Sequence, residues 1–165
     1  MKYQLYNNVN FPSSSSPLKV LDMCCGVGFS TRALMEAFPT STQVVGIDTS
    51  PQMLAMARYI SNHVEHLKTF NSNSVLPITT TTQSLYMKGN AETASLLFRQ
   101  GEKFDVISIM YAFHEIPFDG RQRILDEAKR LLTSGGIVAI VDISTHYTPS
   151  PSMLAGEPYG TYKEF

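Results

Sequence analysis

No stretch of the 165-residue chain is basic enough to follow a nucleic-acid backbone, and none is apolar over the roughly 20 residues that a bilayer crossing needs. The formal net charge is −1, so neither a nucleic-acid partner nor a membrane span is expected. Cysteine is scarce too: Cys24 and Cys25 stand side by side, and their side chains diverge from an extended backbone. That excludes a structural disulfide between them and lacks zinc-type spacing, which points to a reduced, cytoplasmic protein. The opening residues, Met1 to Asn8, lack the apolar core of a secretion signal and are too poor in arginine for a transit peptide. An organellar location stays open only if the N-terminus is incomplete. The length and a 43% hydrophobic content suit one globular domain.

What is present is concentrated between residues 18 and 31. Leu18 to Met23 reads as a buried strand, apolar except for Asp22 near its end. Cys24-Cys25-Gly26-Val27-Gly28 then reads as a tight turn opening a helix, with the two glycines freeing the backbone to bend and to lie against a ligand. Twenty residues beyond Gly28, a second apolar strand closes at Asp48. In open parallel α/β sheets an acid at that spacing holds a ribose diol, so the layout predicts a nucleoside site.

The rest of the chain alternates strand and helix. The spacing predicts a first helix over about 30–38 and a second starting at Ser50-Pro51, with Met53, Leu54, Ala57, Ile60 and Val64 in step. A third strand is expected over 85–88, a short helix over 93–100, and a fourth strand over 104–111. A helix from Asp119, stopped by Gly135-Gly136, precedes a fifth strand over 137–141. The predicted fold is therefore α/β: a Rossmann-like open parallel sheet with helices on both faces. Residues 1–17 read as a flexible lead, 18–145 as the core, 67–84 as a polar loop within it, and 146–165 as an irregular tail.

Two nucleoside classes compete for such a half-fold. A dinucleotide site wants a third glycine where Thr31 stands, and Asp22 would repel a pyrophosphate. A cationic nucleoside without phosphate reverses that objection. Here the sequence resembles the class I S-adenosylmethionine-dependent methyltransferases. Val20-Leu21-Asp22-Met23-Cys24-Cys25-Gly26-Val27-Gly28 is similar to the family's first motif, and Val45 to Leu54 to its second strand and ribose-binding acid. Gly89-Asn90-Ala91-Glu92 resembles the adenine-edge motif, Phe104 to Ser108 the fourth strand, and Glu127 to Gly136 the helix and turn before the fifth. The resemblance is nearest to the small-molecule, quinone-biosynthesis branch.

The resemblance implies S-adenosyl-L-methionine as cofactor and a small-molecule methyl acceptor, with transfer by in-line displacement. It implies cofactor contacts from Asp22 (directly or through water), Cys24, Gly26, Gly28, Asp48, Thr49, Met53 on the adenine face, Asn90 and Ala91 at the adenine edge, and Met110 beside the methionine part. Tyr111 falls either there or in the core. His114 and Glu115, after the fourth strand, are the catalytic candidates, His114 by accepting a hydroxyl proton. No metal site is expected. Two residues depart from the family pattern. Cys24 replaces a glycine, at a cost of roughly 1–2 kcal/mol if the backbone is left-handed there; Asn90 replaces an aspartate whose acceptor oxygen it keeps. The family's closing antiparallel hairpin has no counterpart in the 23 residues after Asp142, so a truncated core is expected, self-associating through the fifth-strand edge. The rival readings are a non-catalytic cofactor-binding or interaction protein and, behind it, a NAD-dependent oxidoreductase.

Overall fold

The structure, a computed structural model, describes residues 17–38, 43–71 and 84–144, with 64–71 and 84 as backbone alone. β1 (Lys19–Met23) leads to α1 (Phe29–Ala37), β2 (Gln43–Asp48), α2 (Pro51–Asn71) and β3 (Ser84–Lys88). A 3-10 helix over Ala91–Leu97, β4 (Phe104–Met110), a 3-10 turn over Phe113–Glu115, α3 (Phe118–Leu131) and β5 (Leu132–Val141) complete the order. All strand pairs are parallel and the sheet runs β3-β2-β1-β4-β5. The chain winds outward from β1 in one direction and then, from β4, in the other. The crevice at the carboxyl ends of β1 and β4 is where such sheets take ligands.

β1 is central and covered on both faces, which is why its apolar run is nearly continuous. Leu21 and Met23 pack with Val45, Ile47, Ile107 and Ile109 and with Ile124, Ala128 and Leu131 of α3. Val20 packs on the opposite face with Val44, Val106, Leu34 and Phe38. Fully burying one such aliphatic side chain is worth about 1.5–3 kcal/mol. Ser50 caps α2 as its sequence position suggests: its hydroxyl accepts the N–H of Met53 at 3.3 Å.

Several boundaries differ from those read in the sequence. α1 starts at Phe29, one residue early, because Gly28 already supplies the left-handed entry (φ 76°). The short helix begins at Ala91 rather than Thr93, since Asn90 Oδ1 accepts the Glu92 N–H at 2.9 Å and starts the turn there. Gly135-Gly136 does not stop α3. That helix ends at Leu131, and Gly135 (φ 81°) lies inside β5, where the pairing with β4 shifts register between Phe104 and Val106. β4 ends at Met110, because Tyr111 turns left-handed (φ 53°). α2 runs to Asn71 and β3 begins at Ser84, so both ends of the stretch 67–84 carry regular structure. Its middle lies outside the described residues, as do the lead to residue 16, the Val64 side chain and the tail 146–165. Among the described residues β5 pairs only with β4, and Ile140 on it is 47% exposed. No described helix is long and apolar enough to cross a membrane.

Candidate functional site

The chain leaves β1 through three left-handed residues, Cys24 (φ 61°), Gly26 (φ 52°) and Gly28 (φ 76°). The strain anticipated at Cys24 is therefore present. The turn is held by the Cys25 N–H donating to Ile47 O at 3.0 Å and the Gly28 N–H to Cys25 O at 2.8 Å. A Cβ on Gly26 would meet nothing within 4 Å, so conformation and not crowding demands glycine there, and open space lies against its backbone. Gly28 is the opposite case: a Cβ would stand 2.5 Å from Tyr86 Oη.

Asp48, the last residue of β2, joins the two strand ends. Its Oδ2 accepts the Gly26 N–H at 2.8 Å and its Oδ1 accepts the Ser50 N–H at 2.9 Å. A carboxylate has about four acceptor positions, so roughly two stay available. Above it lies a cavity of about 440 Å³, within the range of small-molecule sites. Cys24, Gly26, Asp48, Thr49, Asn90 and Ala91, all singled out in the sequence, line it. So do Glu92, Glu115 and an apolar wall of Tyr111, Ala112, Ile116 and Ile124. Among the described residues, three carboxylates and no lysine or arginine line this space; Glu92 is paired with Arg123 at 2.5 Å, which leaves Asp48 and Glu115 to set its charge. It therefore favours a cation and disfavours a pyrophosphate. No cluster of possible metal ligands occurs among the described residues.

Four of the proposed contacts do not line the cavity. Asp22 has no exposed surface; it points to the α1 face, where Ser30 Oγ, Thr31 Oγ1 and Ser108 Oγ donate to it at 2.6, 2.7 and 2.9 Å. These three hydroxyls hold the carboxylate between α1 and β4. Met110 follows Ile109 on the strand and so faces the other way, packing with the Val20 and Leu34 cluster. Gly28 lies under the turn against Tyr86. Met53, in the first turn of α2, is 47% exposed and stands outside the lining. Tyr111 is not core: the residue is 62% exposed.

Burial pushes the Asp22 carboxyl above its ordinary 3.8, with the Ser30, Thr31 and Ser108 hydroxyls pulling it back and the Asp48 charge adding to the rise. A folded-state value above the unfolded one gives stability that is fully present below 3.8 and lost as pH rises through the raised value. Ser108→Ala removes one donor and lifts that value further. It is expected to cost about 1.5–3 kcal/mol at pH 7 and clearly less near pH ~3.5, measured by urea unfolding. Equal losses at both pH values would show that the hydroxyl does not act on the carboxylate. Cys24 and Cys25 are pushed up to about 12, first by burial and then by the acids around them, so neither is an available thiolate at neutral pH.

Beyond β4, Glu115 lines the cavity and His114 does not. His114 Nδ1 lies 2.7 Å from Asp142 Oδ1, its Nε2 lies 3.6 Å from Glu115 Oε1, and its N–H donates to Asp142 Oδ2 at 3.2 Å. Asp142 was not singled out in the sequence. The signal was there, because it follows the fifth strand much as Asp48 ends the second.

A family model described as a methyltransferase domain matches residues 20–136, more than half of the chain. An uncharacterized methyltransferase of Synechocystis sp. is 34% identical over 125 residues, covering 76% of this chain and 47% of that one. A demethylmenaquinone methyltransferase of Lactococcus lactis is 32% identical over 127 residues, covering 77% and 42%. The chain thus spans less than half the length of these relatives. Among solved structures, the YcgJ protein of Bacillus subtilis superposes with a TM-score of 0.59 over 84% of this chain and 48% of its own, at 23% identity. That likeness carries the Rossmann-like fold.

Proposed function

Since the chain belongs to the class I S-adenosylmethionine-dependent methyltransferase family, we propose that it binds S-adenosylmethionine in the cavity at the β1 turn and transfers the methyl group to a small-molecule acceptor. The observation that carries this reading is the cavity's charge: among the described residues, Asp48 and Glu115 line it with no lysine or arginine bound to either, Glu92 being paired with Arg123, around a backbone without a Cβ at Gly26. A sulfonium nucleoside suits such a lining, whereas the phosphates of a nicotinamide dinucleotide do not.

Asp48 is assigned the ribose hydroxyls, using the acceptor positions that the Gly26 and Ser50 amides leave open. Thr49, Cys24 and the Gly26 backbone flank it, and Asn90 with Ala91 takes the adenine edge. Asn90 Oδ1 already caps the Glu92 amide, so it contributes a second acceptor position there. Asp22 acts from below, by fixing α1 and β4 against the turn.

Bound S-adenosylmethionine would supply a methyl carbon activated by positive sulfur. The protein's part is then alignment, which is worth about 7–11 kcal/mol of barrier in well-oriented reactions. The apolar wall of Tyr111, Ala112, Ile116 and Ile124 is assigned to the acceptor, and Glu115 with His114 behind it to the acceptor's proton. The Lactococcus relative supports a quinol-like acceptor. Self-association through the β5 edge belongs to the same proposal, because that strand has an open side among the described residues.

Thermal unfolding with S-adenosylhomocysteine or NADH tests the assignment. At 100 times its Kd, a ligand of the folded state adds about 2.7 kcal/mol, several degrees of Tm for a chain of this size. S-adenosylhomocysteine is expected to give that shift. Stabilisation by NADH alone would overturn the methyltransferase reading in favour of an oxidoreductase.

A further inference from the structure

We infer that Asp142 is a positioning residue, holding the His114 ring with Nδ1 protonated and Nε2 turned toward Glu115 at the cavity. Its purpose rests on the methyl-transfer reading above, while its geometry does not. Asp142 stands one residue beyond β5, beside the turn that follows β4. One carboxylate grips His114 twice, through the ring at 2.7 Å and through the backbone N–H at 3.2 Å. Its own place is fixed by the Ile143 N–H, which donates to Oδ1 at 2.8 Å.

Partial burial opposes the Asp142 charge, but the Ile143 N–H and the ring and backbone N–H of His114 outweigh it and hold the carboxyl below its ordinary 3.8. An ionised carboxylate only accepts hydrogen bonds, so Nδ1 carries the proton. In the neutral ring Nε2 is then the basic nitrogen. It lies 3.6 Å from Glu115 Oε1, too long for a hydrogen bond yet short for a charge pair once the ring is protonated.

The array therefore reads outward from the cavity as Glu115, His114, Asp142. A hydroxyl acceptor that gains a methyl must lose its proton. As the oxygen–carbon bond forms and the carbon–sulfur pair stays on sulfur, that proton passes to the Glu115 carboxylate, and on to His114 Nε2 once the exposed Glu115 side chain turns to close the 3.6 Å gap to hydrogen-bond length. The resulting imidazolium sits between two carboxylates. Without Asp142 the ring loses the acceptor that fixes its tautomer, and the relay is cut.

Long-range proton–nitrogen correlation spectra of the full chain read the His114 tautomer without any acceptor. The wild type is expected to show the Nδ1–H form. Asp142→Ala, which leaves no acceptor at this place, should lose it, and Asp142→Glu should keep most of it and guards against a fold defect in the first variant. Transfer of labelled methyl to a panel of quinols should fall about 100-fold in kcat for Asp142→Ala, with the Kd for S-adenosylhomocysteine changed less than about twofold. An Nε2–H tautomer in the wild type, or the same tautomer in wild type and Asp142→Ala, overturns the geometry. A changed tautomer with unchanged kcat overturns the role in transfer. Absence of S-adenosylhomocysteine binding by the wild type overturns the methyltransferase reading itself, in a measurement separate from the spectra.

Discussion

Asp48→Ala is expected to weaken S-adenosylhomocysteine binding by at least about 100-fold in calorimetric titration. Two hydrogen bonds from a ribose diol to a carboxylate, each worth about 1.5–3 kcal/mol, account for that loss at about 1.4 kcal/mol per tenfold. The substitution also strands the Gly26 and Ser50 amides, which donate to Asp48 at 2.8 and 2.9 Å. The turn that borders the cavity should loosen, so apparent affinity falls further. Asp48→Asn separates the two effects. Its one carbonyl oxygen can keep one amide and one hydroxyl, and an intermediate loss of roughly tenfold is expected. Wild-type affinity in Asp48→Ala would remove the sugar from this end of the sheet.

Gly28→Ala is expected to be strongly destabilising, because it combines a left-handed backbone with a blocked Cβ position. The new Cβ would lie 2.5 Å from Tyr86 Oη and 2.8 Å from the ring. Tyr86 is 5% exposed and its hydroxyl is hydrogen-bonded to Ser61 Oγ at 3.0 Å, so it has little room to retreat. Overpacking costs typically 1–3 kcal/mol, and a left-handed non-glycine residue adds roughly 1–2. The expected total is about 3 kcal/mol, or about 10 °C in Tm for a chain of this length. Gly26→Ala is the control, being equally left-handed (φ 52°) but with nothing within 4 Å; it should cost only about 1 kcal/mol. Equal losses at the two glycines would show that crowding at Tyr86 contributes nothing.

The local parts of this molecule were legible in the sequence because local chemistry sets them. A glycine-bearing bend after an apolar run, Ser50-Pro51 at a helix start and an acid closing a strand each have one economical conformation. The fold class followed from their alternation. Asp22 and Asp48 show where such reading stops. Both are acids near strand ends, yet Asp22 precedes Met23 in β1 and points to α1, whereas Asp48 ends its strand and reaches the cavity. Strand parity likewise decides Met110, which alternates with the core residue Ile109 and so turns away from the site. Spacing marks Asp142 as an acid after a strand but does not name its partner. It meets His114 across 28 residues, through the pairing of two neighbouring strands that only the assembled sheet brings into register.

Among the described residues, the strand that precedes Asp142 is the outermost rung of the sheet on its side, while the ends of β1 and β2 that border the cavity are flanked on both sides. Border rungs fray at lower free energy than interior ones. Warming should therefore disengage the proton relay before it disturbs the sugar cradle. On the proposed function, the protein would then keep its grip on the nucleoside over a span of temperature in which methyl transfer has already ceased.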